Sequence, residues 1–185
     1  MKRFMRNAAA SGFAIALAGL GFWVWNGGHG AGRQYAGQQE RVVKALSAEQ
    51  VDGLKPGQGL GYAKSAELNG WPGPLHVLEL AEELSLTDEQ KTRMEKLRHD
   101  MLAKARPLGE KLIAAERALD AVFSSADPAA EDVHVATLHV ASVEARLRAV
   151  HLTTHLLSAP LLSDRQKEIY QQARGYGAAQ NHSGH

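Results

Sequence analysis

The sequence has no cysteine. That excludes disulfides, thiolate chemistry and sulfur-ligated zinc or iron–sulfur sites, so any metal site must use His, carboxylate or Met. Net charge is nearly absent too: 21 Lys and Arg against 20 Asp and Glu leave +1 over 185 residues. Proteins that grip nucleic acid by bulk charge carry far more, and no nucleic-acid partner is expected. Catalytic signatures are missing: there is no G-x-S-x-G, no Walker loop and no H-E-x-x-H. The carboxylates Glu82, Glu83, Asp88 and Glu89 cluster at a helix junction, where helix dipole and solvent account for them. No enzyme is expected. What stands out instead is histidine, nine in all.

No acidic residue precedes Glu40. Lys2, Arg3 and Arg6 come first, and Ala8 to Trp25 then runs without a charge, as in the basic and apolar regions of an export signal. The run is 18 residues long, near the lower limit for a spanning helix. No clear A-x-A cleavage site precedes Asn26, and Trp23 and Trp25 sit where an interfacial aromatic belt would. Residues 1–26 therefore read as a signal peptide or an N-terminal membrane anchor. The positive-inside rule sends everything from residue 27 out of the cytoplasm.

Residues 27–74 are rich in glycine and read as an extended connector, with short helices at about 39–52 and about 61–68. Trp71-Pro72-Gly73-Pro74 is a hard stop, because proline lacks a backbone N–H and restricts its neighbour. Beyond it prolines are sparse and no strand-like alternation appears. The pattern predicts four helices, at about 75–84, 88–123, 129–158 and 164–174. The fold class is all-α: a long antiparallel helical hairpin with short flanking helices over 75–176, then a tail at 177–185.

The second helix carries Met94, Leu97, Met101, Leu108, Leu112, Ala115, Leu119 and Val122 on one stripe, with Pro107 inside it as an expected kink. The third carries Val133, Ala136, Val140, Val143, Leu147, Val150, Thr154 and Leu157 at alternating three–four spacing. Between them Asp127 is expected to cap the third helix, with Pro128 at its first position. A second stripe, Ala145, Ala149, Leu152 and Leu156, lies elsewhere on the third helix. Two stripes need two partners. One is the hairpin mate; the other is a dimer mate or a client, or both stripes are simply core and dimer interface.

One local pattern occurs three times. Thr87-Asp88-Glu89-Gln90, Ser163-Asp164-Arg165-Gln166 and Ser47-Ala48-Glu49-Gln50 are capping boxes, in which the hydroxyl accepts from the backbone N–H three residues on and the glutamine reaches back. Read on their own, these residues only start helices.

Leu84-Ser85-Leu86-Thr87-Asp88-Glu89-Gln90, then a helical hairpin, then Leu161-Leu162-Ser163-Asp164-Arg165-Gln166, resembles the paired LTxxQ signature of the Spy/CpxP family, with Ser for Thr in the second copy. The resemblance covers about residues 75–176 and implies a small all-helical protein of the bacterial periplasm, dimeric in many members. Spy- and CpxP-like members are ATP-independent chaperones or envelope-stress modulators. A related CnrX- and ZraP-like branch binds transition metals, and CnrX-like members are membrane-anchored and report to an anti-sigma partner.

Histidine bears on which branch applies. His151 and His155 are four apart, so they project from one side of the third helix. That permits two imidazoles on one zinc, nickel, cobalt or copper ion. Two ligands do not make a tight site, and His76, Glu79 and His99 are the candidates for a third. His99 is expected roughly level with His155 across the hairpin. The metal-binding branch has ligands near the start of the helical domain and late in the third helix. Here Leu80, four after His76, departs from that layout. The same arc of Glu144, Arg148, His151 and His155 is also what a water-facing stripe looks like, and Arg148 would repel a cation. His134 and His139 are expected in or beside the hairpin packing. His29, His182 and His185 lie outside the helical domain.

The leading expectation is a periplasmic, dimeric hairpin protein that binds unfolded or stressed envelope proteins, using edges such as Met101, Leu102, Leu152 and Leu156. The alternative is a metal sensor tethered to the inner membrane that signals to a membrane partner. A purely structural coiled-coil spacer comes third.

Overall fold

The structure, a computed structural model, describes residues 35–176. The signal peptide or anchor expected at 1–26, the first residues of the connector and the tail from 177 lie outside the described residues. Among the described residues all regular structure is helical. A 3-10 turn at Gln38–Glu40 is followed by α1 (Ala48–Leu54), α2 (Lys64–Glu67) and α3 (Pro74–Glu79). The long helices α4 (Asp88–Ser124) and α5 (Ala130–Ser158) come next, then a 3-10 turn at Ala159–Leu161 and α6 (Asp164–Ala173).

α4 and α5 form the expected hairpin, packed along their length. α4 starts where its capping box puts it: Thr87 Oγ1 accepts from the Gln90 N–H at 3.1 Å, and Gln90 Oε1 accepts from the Thr87 N–H at 3.0 Å. It runs for 37 residues and passes through Pro107 without ending. Proline removes one helical hydrogen bond there, while Ala105, Leu108 and Gly109 on either side are buried and hold the helix in place. α5 starts later than expected. Ala129 is its N-cap, with no side-chain cap, so Asp127 and Pro128 belong to the reversal. The acidic first turn, Glu131 and Asp132, supports the helix dipole instead.

α3 is shorter than the pattern suggests. It stops at Glu79, and the chain closes a turn with Leu86 N–H to Ala81 O at 2.9 Å while Ser85 takes φ +49°. That turn puts both Leu84 and Leu86 inside. They join Val77, Met94, Leu162 and Tyr170 in the core at the open end of the hairpin.

The described part of the connector is not extended. Val43 and Leu54 are fully buried. They form a second core with Ala105, Leu108, Leu112, Ile113, Val143 and Leu147 from the hairpin. Gly109 makes this contact possible: a Cβ there would sit 2.2 Å from the Leu54 carbonyl oxygen. Burying these aliphatic side chains contributes about 1.5–3 kcal/mol each relative to exposure, enough to hold a chain whose sequence reads as a linker. Tyr170 of α6 adds a polar tie, its hydroxyl donating to both carboxylate oxygens of Glu67 at 2.8 Å.

Candidate functional site

A cleft of about 620 Å³ lies between the folded connector and the open half of the hairpin. α5 contributes His151 and His155, α4 contributes Arg98, Met101, Leu102 and Arg106, and the connector and α3 close the rest. Both of these histidines are buried. His155 Nδ1 donates to the Trp71 carbonyl at 2.8 Å, and Ser158 Oγ, one turn on, donates to the Pro72 carbonyl. Two side chains of α5 thus hold the strap at residues 71–73 by its carbonyls. Gly73 lies so close that a Cβ would come within 2.4 Å of the His155 ring.

His151 stacks on Tyr62, with ring centroids 6.1 Å apart. Arg148 lies over the other aromatic partner of this group, 5.6 Å from the Tyr62 ring centroid. The His151 Nε2 atom is buried without a hydrogen-bond partner. Burial, and secondarily the neighbouring His155, lowers the His151 pKa below the ordinary histidine value.

The repeated boxes do more than start helices. The Gln90 and Gln166 side chains face each other across the open end of the hairpin. Gln90 Nε2 donates to the Leu161 carbonyl at 2.8 Å, and Gln166 Nε2 donates to the Leu84 carbonyl at 3.1 Å. The two amides also bond each other in both directions at 3.0 Å. Each motif therefore caps its own helix and ties down the backbone just ahead of the other motif. The family model for LTXXQ motif proteins matches residues 75–174, more than half of the chain. The chain belongs to the LTXXQ motif family. No curated protein and no solved structure matches it.

Membership supports a Spy/CpxP-like periplasmic protein, of a kind that is not enzymatic. Among the described residues no helix is long and apolar enough to cross a membrane. The span expected at 8–25 lies outside them.

In this LTXXQ protein the five candidate ligands do not assemble into one centre. His76, His151 and His155 line the cleft; Glu79 and His99 do not. His76 Nδ1 is paired with Glu79 Oε2 at 2.8 Å within its own helix turn. His99 is exposed on α4. Among the described residues no three His, Asp or Glu side chains group closely enough to hold a metal ion. His134 and His139, expected near the packing, are exposed on α5. His29, His182 and His185 lie outside the described residues. The water-facing arc expected for His151 and His155 is instead covered by the connector. Sequence reasoning missed the strap and the cleft it walls. The available signal was the glycines at 57 and 73, each of which approaches the hairpin closely.

Proposed function

We propose that this protein binds unfolded or stressed envelope proteins in the periplasm, without nucleotide, as a dimer of hairpins. The supporting observation is the second stripe of α5. Val143 and Leu147 are buried against α4, while Ala145 and Ala149 stay exposed, Leu152 is half-buried and Leu156 is 51% exposed. Toward the hairpin tip Phe123, Val135 and Leu138 are exposed as well, at 56–64%. Contiguous apolar side chains left open in this way mark interaction surfaces. Arg146 and Arg148 beside the stripe keep it soluble and favour shallow contacts. Shallow contacts release quickly, so no energy source is needed for turnover. The test is suppression of aggregation of a denatured reporter protein. Leu152→Gln combined with Leu156→Gln should abolish suppression while leaving thermal unfolding nearly unchanged. Full suppression by that variant would sink the proposal.

One observation favours a second reading, a membrane-tethered metal sensor: His76, His151 and His155 share one cleft. The arrangement is not a preformed site, because among the described residues no three His, Asp or Glu side chains group closely enough to hold a metal ion. This reading requires zinc, nickel, cobalt or copper to raise the unfolding midpoint. The added stability would be about 2.7 kcal/mol at a hundredfold excess over Kd. A His151→Ala/His155→Ala variant must abolish the rise.

A further inference from the structure

We propose that the cleft between the connector and the hairpin binds a single-chain anionic amphiphile, its alkyl chain inside and its anionic headgroup at the rim. Ala145, Ala149, Leu152 and Leu156 of the α5 stripe invoked above do not line this cleft, and the proposal does not rest on that reading.

Three observations converge. The first is size: about 620 Å³ falls within the range of pockets that enclose a small organic ligand. The second is lining. Leu60, Leu68 and Leu75 from the connector and α3 are each more than 40% exposed, and they converge on this cleft with Met101 and Leu102 from α4. Five apolar side chains from two separate parts of the chain leave an apolar interior that water fills poorly.

The third is charge. Lys64, Arg98 and Arg106 border the same cleft. Among the described residues neither Lys64 nor Arg98 has an ion-pair partner, and Arg106 donates only to the Pro56 carbonyl, at 3.2 Å. The one carboxylate of the lining, Glu67, is turned to the Tyr170 hydroxyl, which bonds both of its oxygens. The permanent charge of the rim is therefore cationic over an apolar floor. That complementarity selects an anion with a hydrocarbon chain over a neutral chain or a bare anion. In addition, His151 on the inner wall is 3% exposed and leaves Nε2 without a partner. That atom is a polar position on the wall with no protein partner among the described residues.

The experiment titrates the full-length protein with dodecyl phosphate below its micelle concentration, read by calorimetry. Dodecyl maltoside and inorganic phosphate are the comparison ligands. Dodecyl phosphate should bind at least tenfold more tightly than the maltoside, and inorganic phosphate alone should give no saturable binding. Lys64→Gln with Arg98→Gln, both exposed and free of structural bonds, should weaken dodecyl phosphate at least tenfold and leave the maltoside unchanged. Leu68→Gln, also exposed, should weaken both chains. Thermal unfolding of each variant establishes that it is folded. Equal affinity for the charged and neutral amphiphiles overturns the proposal. So does undiminished binding in the Lys64/Arg98 variant, which would place the amphiphile on another apolar segment of the chain.

Discussion

Gln90 and Gln166, 76 residues apart, hold each other through a reciprocal pair of amide hydrogen bonds at 3.0 Å. Each amide also serves its own helix cap and the backbone before the other's motif. The third capping box, Ser47 to Gln50, has no such counterpart, and its glutamine is exposed.

Gln90→Ala and Gln166→Ala should each destabilise the fold by about 2–4 kcal/mol, since each removes a cap and leaves half-buried partners unsatisfied. The two effects should be strongly non-additive. Once one amide is gone, the other has already lost its partner, so the double variant should fall at least about 0.5 kcal/mol short of the sum. Gln50→Ala should cost only about 1 kcal/mol, as an isolated cap. Urea unfolding of the four variants measures all of this. An additive pair would mean the amide–amide bonds contribute nothing.

Gly109→Ala should destabilise despite lying inside α4. Helix propensity alone favours Ala over Gly by about 1 kcal/mol. Here the new methyl would meet the Leu54 carbonyl at 2.2 Å, and that atom is backbone, not a yielding side chain. Overpacking typically costs about 1–3 kcal/mol or more, so the sign should be reversed. A stabilised Gly109→Ala variant, measured by thermal unfolding, would show that the connector does not seat on α4.

Acidification should weaken the fold through His151. Burial holds its folded pKa below the unfolded value of about 6.5. The folded state therefore binds the proton less readily. The contribution of His151 is fully present above pH 6.5 and is lost as pH falls toward and through the depressed value. His155 beside it and Tyr62 stacked on it offer no carboxylate to stabilise an imidazolium. The stability of the wild type should fall below pH 6.5 with a slope of at most about 1.4 kcal/mol per pH unit from this group. His151→Gln should show a shallower fall. Identical slopes would mean His151 titrates normally.

The helical hairpin was legible because its signals are local. Capping boxes mark the starts of α4 and α6 to the residue, and the apolar stripe of α4 returns as Met94, Leu108, Leu112 and Ala115 in the core. The start of α5 was misplaced because Asp127-Pro128 is equally good chemistry for a loop. The cleft was not legible. What buries His151 and His155 is a glycine-rich segment some 80 residues earlier, with no hydrophobic period of its own. On α5 alone the two histidines share an arc with Glu144 and Arg148, and nothing local shows that Tyr62 and Trp71 come to cover it. Glycine in that segment reads as flexibility, yet Gly57 and Gly73 are close-approach positions against α4 and α5.

The strap at residues 71–73 has a property that follows from Pro72 within it and Pro74 just after it. Pro72 and Pro74 bring no N–H, so the segment cannot bond to itself, and the carbonyls of Trp71 and Pro72 depend on His155 and Ser158. Lifting the strap would break both of these bonds at once, although the Ser158 hydroxyl keeps a second acceptor in the His155 carbonyl at 3.2 Å. It should not fray residue by residue. Strap and the second half of α5 should open as a single cooperative unit, with one shared opening free energy, and the cleft should be either walled or absent with no populated state between.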